Sequence, residues 1–407
     1  MRNVRVGTFL VLSLGALLES HGQIAGEPPL TLEQVLPLAL GQNPDLLAAR
    51  LRRPVGQAAI EMARERPNPD LKLEAERETP HQAATGSFEI ETGGRRARRV
   101  DVAEAELRTG EAELARLEVD VREQVRRAFY SLLAAQQTVE QAEALARLAE
   151  RAQQASADRF EAGDAPRLEV IQAEVAAAQS ANERDAAQAQ SAAARATLNA
   201  LLGRPPGQPL VIAGDPGDGS VPDPERAVEL ALAASPELRW LDRKIDEASA
   251  RADLARAEQL ANPVIEAGVT HDSLPEFRWG WRAAIGWTLP LFTRHRAAVL
   301  QQQGTLAQLH AERDAAVLRL RGDVFAAAAS ASALGEQSRR YRESILQKQQ
   351  EVEALAEDAY RSGQTGLVSL LQALQASRQI RSQAVTAGLD YQLALARLEH
   401  AMGVPLP

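Results

Sequence analysis

The chain carries six histidines: His21, His81, His271, His295, His310 and His400. A helical metal site needs two ligands on one face, at i and i+3 or i+4, and no pair here has that spacing. His81 and His271 fall in corresponding loops, with Glu78 and Asp272 nearby, where chance placement explains them better than a metal site does. Cysteine is absent, which excludes thiolate ligands, disulfides, a cysteine nucleophile and lipidation on an N-terminal cysteine. There is no glycine-rich phosphate loop, no H-E-x-x-H and no G-x-S-x-G. Paired carboxylates abound, but at the spacings of exposed helix salt bridges. No catalytic residue, metal ligand or cofactor site is therefore expected, and no enzyme.

Other polar residues stand where structure must change direction. "GGRRARR" (Gly93–Arg99) places Arg95, Arg96, Arg98 and Arg99 at the start of a long helical stretch. Positive charge there opposes the helix dipole, so a carboxylate or lipid phosphate partner is expected nearby. "FEAGDAPRL" and "YRSGQTGLV" break long helices at Gly163 and Gly363, where glycine supplies positive φ. Asp164, with Glu161 just before it, is the acidic group of the first break. A ring of such aspartates could bind cations or hold a mouth closed. The plain alternative is a solvated turn residue.

"FRWGWRAAIGWTLP" (Phe277–Pro290) alternates strictly. Trp279, Trp281, Ile285 and Trp287 share one face, and Arg278 and Arg282 the other. Three of the four tryptophans sit here, in a chain that is only 4% aromatic. An apolar face with tryptophans near its ends, backed by a polar or small face, is the pattern of a lipid-facing barrel strand. Trp279, Trp281, Ile285 and Trp287 are expected to face lipid; Arg278 and Arg282 are expected to face the lumen.

The elements that carry these residues come twice. "DRFEAGDAPRLEVIQAEV" at Asp158 and "DAYRSGQTGLVSLLQALQ" at Asp358 align Asp with Asp, Phe160 with Tyr360, Gly163 with Gly363 and Gln172 with Gln372. Leu198, Gly203 and Pro205 match Leu398, Gly403 and Pro405. Repeat one is read as 30–206, with strands at 69–92 and a long hairpin at 94–202. A Pro/Gly-rich linker occupies 207–220. Repeat two is read as 221–407, with strands at 263–289 and a hairpin at 294–402. Each repeat runs short helix, second helix, two strands, very long helix, glycine break, last helix. Val100, Leu107, Leu114, Val121 and Ala128 form a heptad seam, the mark of a coiled coil. The second helix, Asp45–Arg66, is expected to stack end-on with the returning helix.

Arg2, Arg5 and the apolar run Val6–Leu18 read as a signal peptide, assigned to 1–25, with an N-terminal anchor as the alternative. The net charge of −9 argues against a nucleic-acid binder. Four strands cannot close a barrel in hydrocarbon. Two chains give about eight strands and three give about 12, and the trimer is favoured. The fold class is thus mainly α with a small membrane β part: a duplicated unit, a trimeric 12-stranded barrel with four strands per chain, and a long α-helical coiled-coil barrel.

The opening "LTLEQVLPLALGQNPDL", the turns "FEIETGGRRARR" and "WTLPLFTRHRA", and "YRSGQTGLVSLLQA" resemble the TolC family of outer-membrane efflux channels. The two turns resemble its CzcC-like heavy-metal branch. The resemblance implies an outer-membrane homotrimer in contact with lipid, with a large periplasmic part; many relatives carry a lipidated N-terminal cysteine, and this chain, having no cysteine, departs from them and is expected to be unlipidated. It also implies a periplasmic adaptor and an RND-type inner-membrane pump as partners. Gly163, Asp164, Gly363, Gln364 and Thr365 would form the adaptor-docking tips. The implied function is a passive duct for heavy-metal cations. The alternatives are the same duct for drugs, or a periplasmic scaffold with no pore.

Overall fold

A computed structural model describes residues 28–406 except 79, 218, 273–277, 289–291, 293–294 and 363. The expected signal peptide lies outside the described residues.

Helices α1 (Leu32–Gln42), α2 (Pro44–Arg50) and α3 (Arg52–Arg64) lead to strands β1 (Asp70–Ala75) and β2 (Gln82–Glu89). Then come α4 (Arg95–Glu161) and α5 (Arg167–Leu201). After the linker follow α6 (Pro224–Ala234), α7 (Pro236–Ala257), β3 (Pro263–Asp272) and β4 (Arg278–Trp287). The last hairpin is α8 (Arg296–Arg340), a π-turn (Tyr341–Ile345), α9 (Leu346–Arg361) and α10 (Leu367–Met402). Among the described residues no helix is long and apolar enough to cross a membrane.

The 67 residues of α4 make a rod of about 100 Å. It ends in a Schellman motif. Gly163 takes φ +83°, its N–H donates to the Phe160 carbonyl at 3.0 Å, and the Asp164 N–H donates to Arg159 at 2.8 Å. Pro166 then precedes α5, its fixed φ suiting the turn.

Short helices meet the returning helices end to end. The Asn43 side chain accepts from the Asp45 and Leu46 N–H groups and donates to the Leu201 carbonyl at 3.1 Å, so one amide caps α2 and ties it to the end of α5. Gly203 permits the junction, because a Cβ there would lie 2.7 Å from the Gln42 carbonyl oxygen. In the second half Ser235 caps α7 through the Leu238 N–H, and Gly403 lies against Pro236.

The expected single helix over Asp45–Arg66 is two. Pro54 has no N–H to give, and its ring crowds the carbonyl four residues back, so the helix breaks at Leu51. Its counterpart α7 has no internal proline and runs unbroken for 22 residues.

Two apolar clusters hold the hairpins at mid-height. One joins Val35, Leu46, Phe129, Leu132 and Leu198; the other joins Ala231, Val324, Ala328, Leu395 and Met402. Arg126 links the halves, donating to Glu399 at 2.7 Å and to Gln392 at 3.1 Å.

Candidate functional site

The four strands form one antiparallel sheet in the order β1-β2-β3-β4, which leaves β1 and β4 as edges. Residues paired across an antiparallel ladder share a face. Trp281 pairs with Val269, Val269 with Ala84, and Ala84 with Leu73. Ile285 pairs with Ile265, and Ile265 with Phe88. The Trp279–Trp287 face thus continues across all four strands as an apolar surface, and Trp281 is 84% exposed. The other face carries Lys72, Thr85 and Arg282 along one row, with Glu266 and Arg278 beside it. Arg282 lies 3.8 Å from Glu266.

His271 is a strand residue of β3, paired with Gln82 on the apolar face, rather than a loop residue. Asp272 falls on the opposite face, 3.8 Å from His81, because side chains alternate along a strand. Among the described residues no group of three or more His, Asp or Glu could hold a metal ion.

Below the sheet, the arginines at the start of α4 find partners that spacing alone did not disclose. Arg95 caps the C-terminal end of α7, donating to the carbonyls of Ala257 at 3.4 Å, Glu258 at 3.1 Å and Leu260. Arg99 pairs with Glu91 and donates to the Glu65 carbonyl at 3.1 Å, just past α3. Arg98 lies between Asp101 at 3.2 Å and Asp253 at 3.7 Å. A guanidinium placed badly for its own helix dipole is placed well for the C-terminal ends of neighbours.

At the far end, Asp164, Gln364 and Gly163 are exposed and Thr365 is half-buried. The Gln364 and Thr365 N–H groups both donate to the Ala359 carbonyl. Gly363 lies outside the described residues. Beside the turns is a cluster that sequence reasoning missed. Arg159 donates to Glu169 at 3.0 Å, and Tyr360 donates to the same carboxylate oxygen at 3.2 Å. The Arg159 guanidinium lies 5.5 Å from the Tyr360 ring centroid. Burial raises the Tyr360 pKa above the usual phenol value, and the nearby Arg159 pulls it back. The Tyr360 hydroxyl first, and the Glu169 charge after it, raise the Arg159 pKa. This cluster fastens the two hairpins together over Leu148, Ala152, Leu370 and Leu374. The alignment of Phe160 with Tyr360 was the available signal: Tyr360 is 6% exposed and Phe160 44%.

A two-faced sheet with free edges, set on helical hairpins this long, is the architecture of an outer-membrane channel subunit. The chain matches the family described as outer membrane efflux protein over residues 35–204 and 227–404, and it belongs to that family. It is accordingly an outer-membrane protein with a large periplasmic helical part. It is 32% identical over 267 residues to the cobalt-zinc-cadmium resistance protein CzcC of Cupriavidus metallidurans. That match covers 65% of this chain and 63% of CzcC, so the chain spans under two thirds of that curated relative. Among solved structures, it resembles the CusC channel with a TM-score of 0.74 at 16% identity, over 92% of each chain. It resembles the outer membrane protein VceC of Vibrio cholerae with a TM-score of 0.71 at 17% identity, over 92% of this chain and 97% of that one.

Proposed function

We propose that three copies of this chain form a passive duct through which heavy-metal cations leave the periplasm. The observation that carries this reading is the sheet: apolar on one face, polar on the other, and unpaired at β1 and β4. Open edges are not tolerated in hydrocarbon, so β4 of one copy pairs with β1 of the next until about 12 strands close. Trp279, Trp281, Ile285 and Trp287 then face lipid, and Arg278 and Arg282 face the lumen.

The helices favour the same closure. In the chain, α7 packs against both α4 and α8, whereas α3 packs on α4. The outer stripe of α3, with Val55 and Met62, and Leu51 just before it, each at least 68% exposed, needs a second helix to cover it. By repeat equivalence that helix is α8 of the next copy, whose Leu300 and Leu318 are similarly exposed. The repeat boundaries 30–206 and 221–407 enter this proposal as the units that alternate around the ring.

The metal assignment rests on the likeness to CzcC. The tips at Gly163, Asp164, Gly363, Gln364 and Thr365 are assigned to a periplasmic adaptor, which connects the duct to an RND-type inner-membrane pump. No step of catalysis belongs to the chain. The test is a deletion strain challenged with cobalt, zinc and cadmium salts and with a panel of drugs. Sensitivity to the metals, restored by the gene, is expected. Sensitivity to drugs alone would make this a drug duct, and sensitivity to neither would refute efflux.

A further inference from the structure

Arg95 and Arg296 occupy the same station in the two halves. Each is the first residue of its long helix, directly after a left-handed N-cap: Gly94 at φ +71° and His295 at φ +51°. The Arg98 N–H donates to the Gly94 carbonyl and the Val299 N–H to the His295 carbonyl, so the first turns have the same form. A cation at this position opposes the dipole of its own helix unless a neighbour offsets it. For Arg95 that neighbour is the carbonyl end of α7, with Glu258 3.1 Å away. Arg296 is exposed.

The ends of α3 and α7 correspond in sequence, although α7 continues as a turn over 258–260 and α3 passes straight into extended chain at Glu65. Each runs into a strand through an Asn-Pro pair, Asn68-Pro69 and Asn262-Pro263. The segment over 63–66 thus corresponds to the carbonyls that Arg95 caps. Arg99 reaches this segment from the α4 side, at the Glu65 carbonyl. Its other side is where α8 of a second copy would lie.

Resting on the trimeric reading above, we infer that Arg296 of one copy caps the C-terminal end of α3 in the next copy, as Arg95 caps α7 within the chain. The barrel-to-tunnel junction then carries six arginine caps, three within chains and three between them. The intersubunit caps would fix the register in which β4 meets the following β1.

The chain has no cysteine, so introduced thiols are the only ones present. Arg296→Cys with Arg66→Cys, treated with a short bismaleimide in outer-membrane fractions, is expected to give covalent dimers and trimers on a denaturing gel. Arg95→Cys with Glu258→Cys should give internally linked single chains. Native mass spectrometry of each preparation reports the assembly separately. A three-chain particle in which the 296/66 pair never links chains would overturn this inference and leave the trimer standing. A one-chain particle would overturn both. Should the double variant fail to reach the membrane, Arg296→Ala and Arg296→Glu take its place. The three-chain particle should dissociate at a lower temperature in Arg296→Ala, and lower still in Arg296→Glu; unchanged temperatures would overturn the inference.

Discussion

Tyr360, one residue before the end of α9, and Gly163, two residues past the end of α4, stabilise the tip by different means. Tyr360 gives its hydroxyl to Glu169, and Tyr360→Phe removes that hydrogen bond while keeping the ring over Arg159. The loss should be about 0.5–1.5 kcal/mol. Hydrogen exchange should therefore quicken at the tips and not in the sheet. The raised phenol pKa sets the direction with pH. The contact is complete below the ordinary tyrosine value of about 10 and is lost as pH rises through the elevated one. Tip protection should accordingly be flat from pH 6 to 8 after correction for intrinsic exchange. Gly163 acts through backbone conformation alone, since nothing lies within 4 Å of a Cβ built there. Gly163→Val should cost about 1–2 kcal/mol from the left-handed φ. Normal amounts of assembled protein should still reach the outer membrane, while export falls. Export at the wild-type rate would reduce the tip to a simple turn.

At the scale of elements, the end-to-end junctions govern how the short helices complete the hairpins. Asn43→Ala removes the cap of α2 and the bond to Leu201 together. A loss of about 0.5–2 kcal/mol is expected for the cap alone. Thermal unfolding followed by circular dichroism should show it, with Ser235→Ala, which loses only a cap, the milder of the two. Much of this level was legible in the sequence. The long helices, the break at Gly163, the interruption between α9 and α10 and the alternating strand were visible because each has a local period or a residue with few backbone alternatives. The break at Leu51 was also written there, in Pro54, but the helical pattern on either side outweighed one proline. The π-turn at Tyr341–Ile345 was not legible. Arg342 there meets Asp215 of the linker at 3.3 Å, a contact between residues 127 apart that no local pattern encodes. The acceptors of Arg95 were hidden for the same reason, since they are carbonyls of a helix more than 160 residues away.

Across the whole molecule, one chain is an unfinished object. Its sheet stops at two edges, its α3 stripe is bare, and the three tryptophans of β4 stand in the open. In the proposed trimer all three are resolved by the same operation, the addition of further copies side by side, with the apolar face turned to lipid. The most direct measurement compares two substitutions on adjacent residues of β4. Ile285→Arg places a charge on the apolar face of β4, two residues before its end, where it should cost from about 1 to about 4 kcal/mol, more the nearer this row lies to the bilayer midplane. Ala284→Arg places the same charge on the opposite face. Native mass spectrometry of protein extracted from outer membranes should find three-chain particles for the wild type and for Ala284→Arg, and a large loss of them for Ile285→Arg. Equal yields for the two variants, or a wild type that is not three chains, would contradict the account.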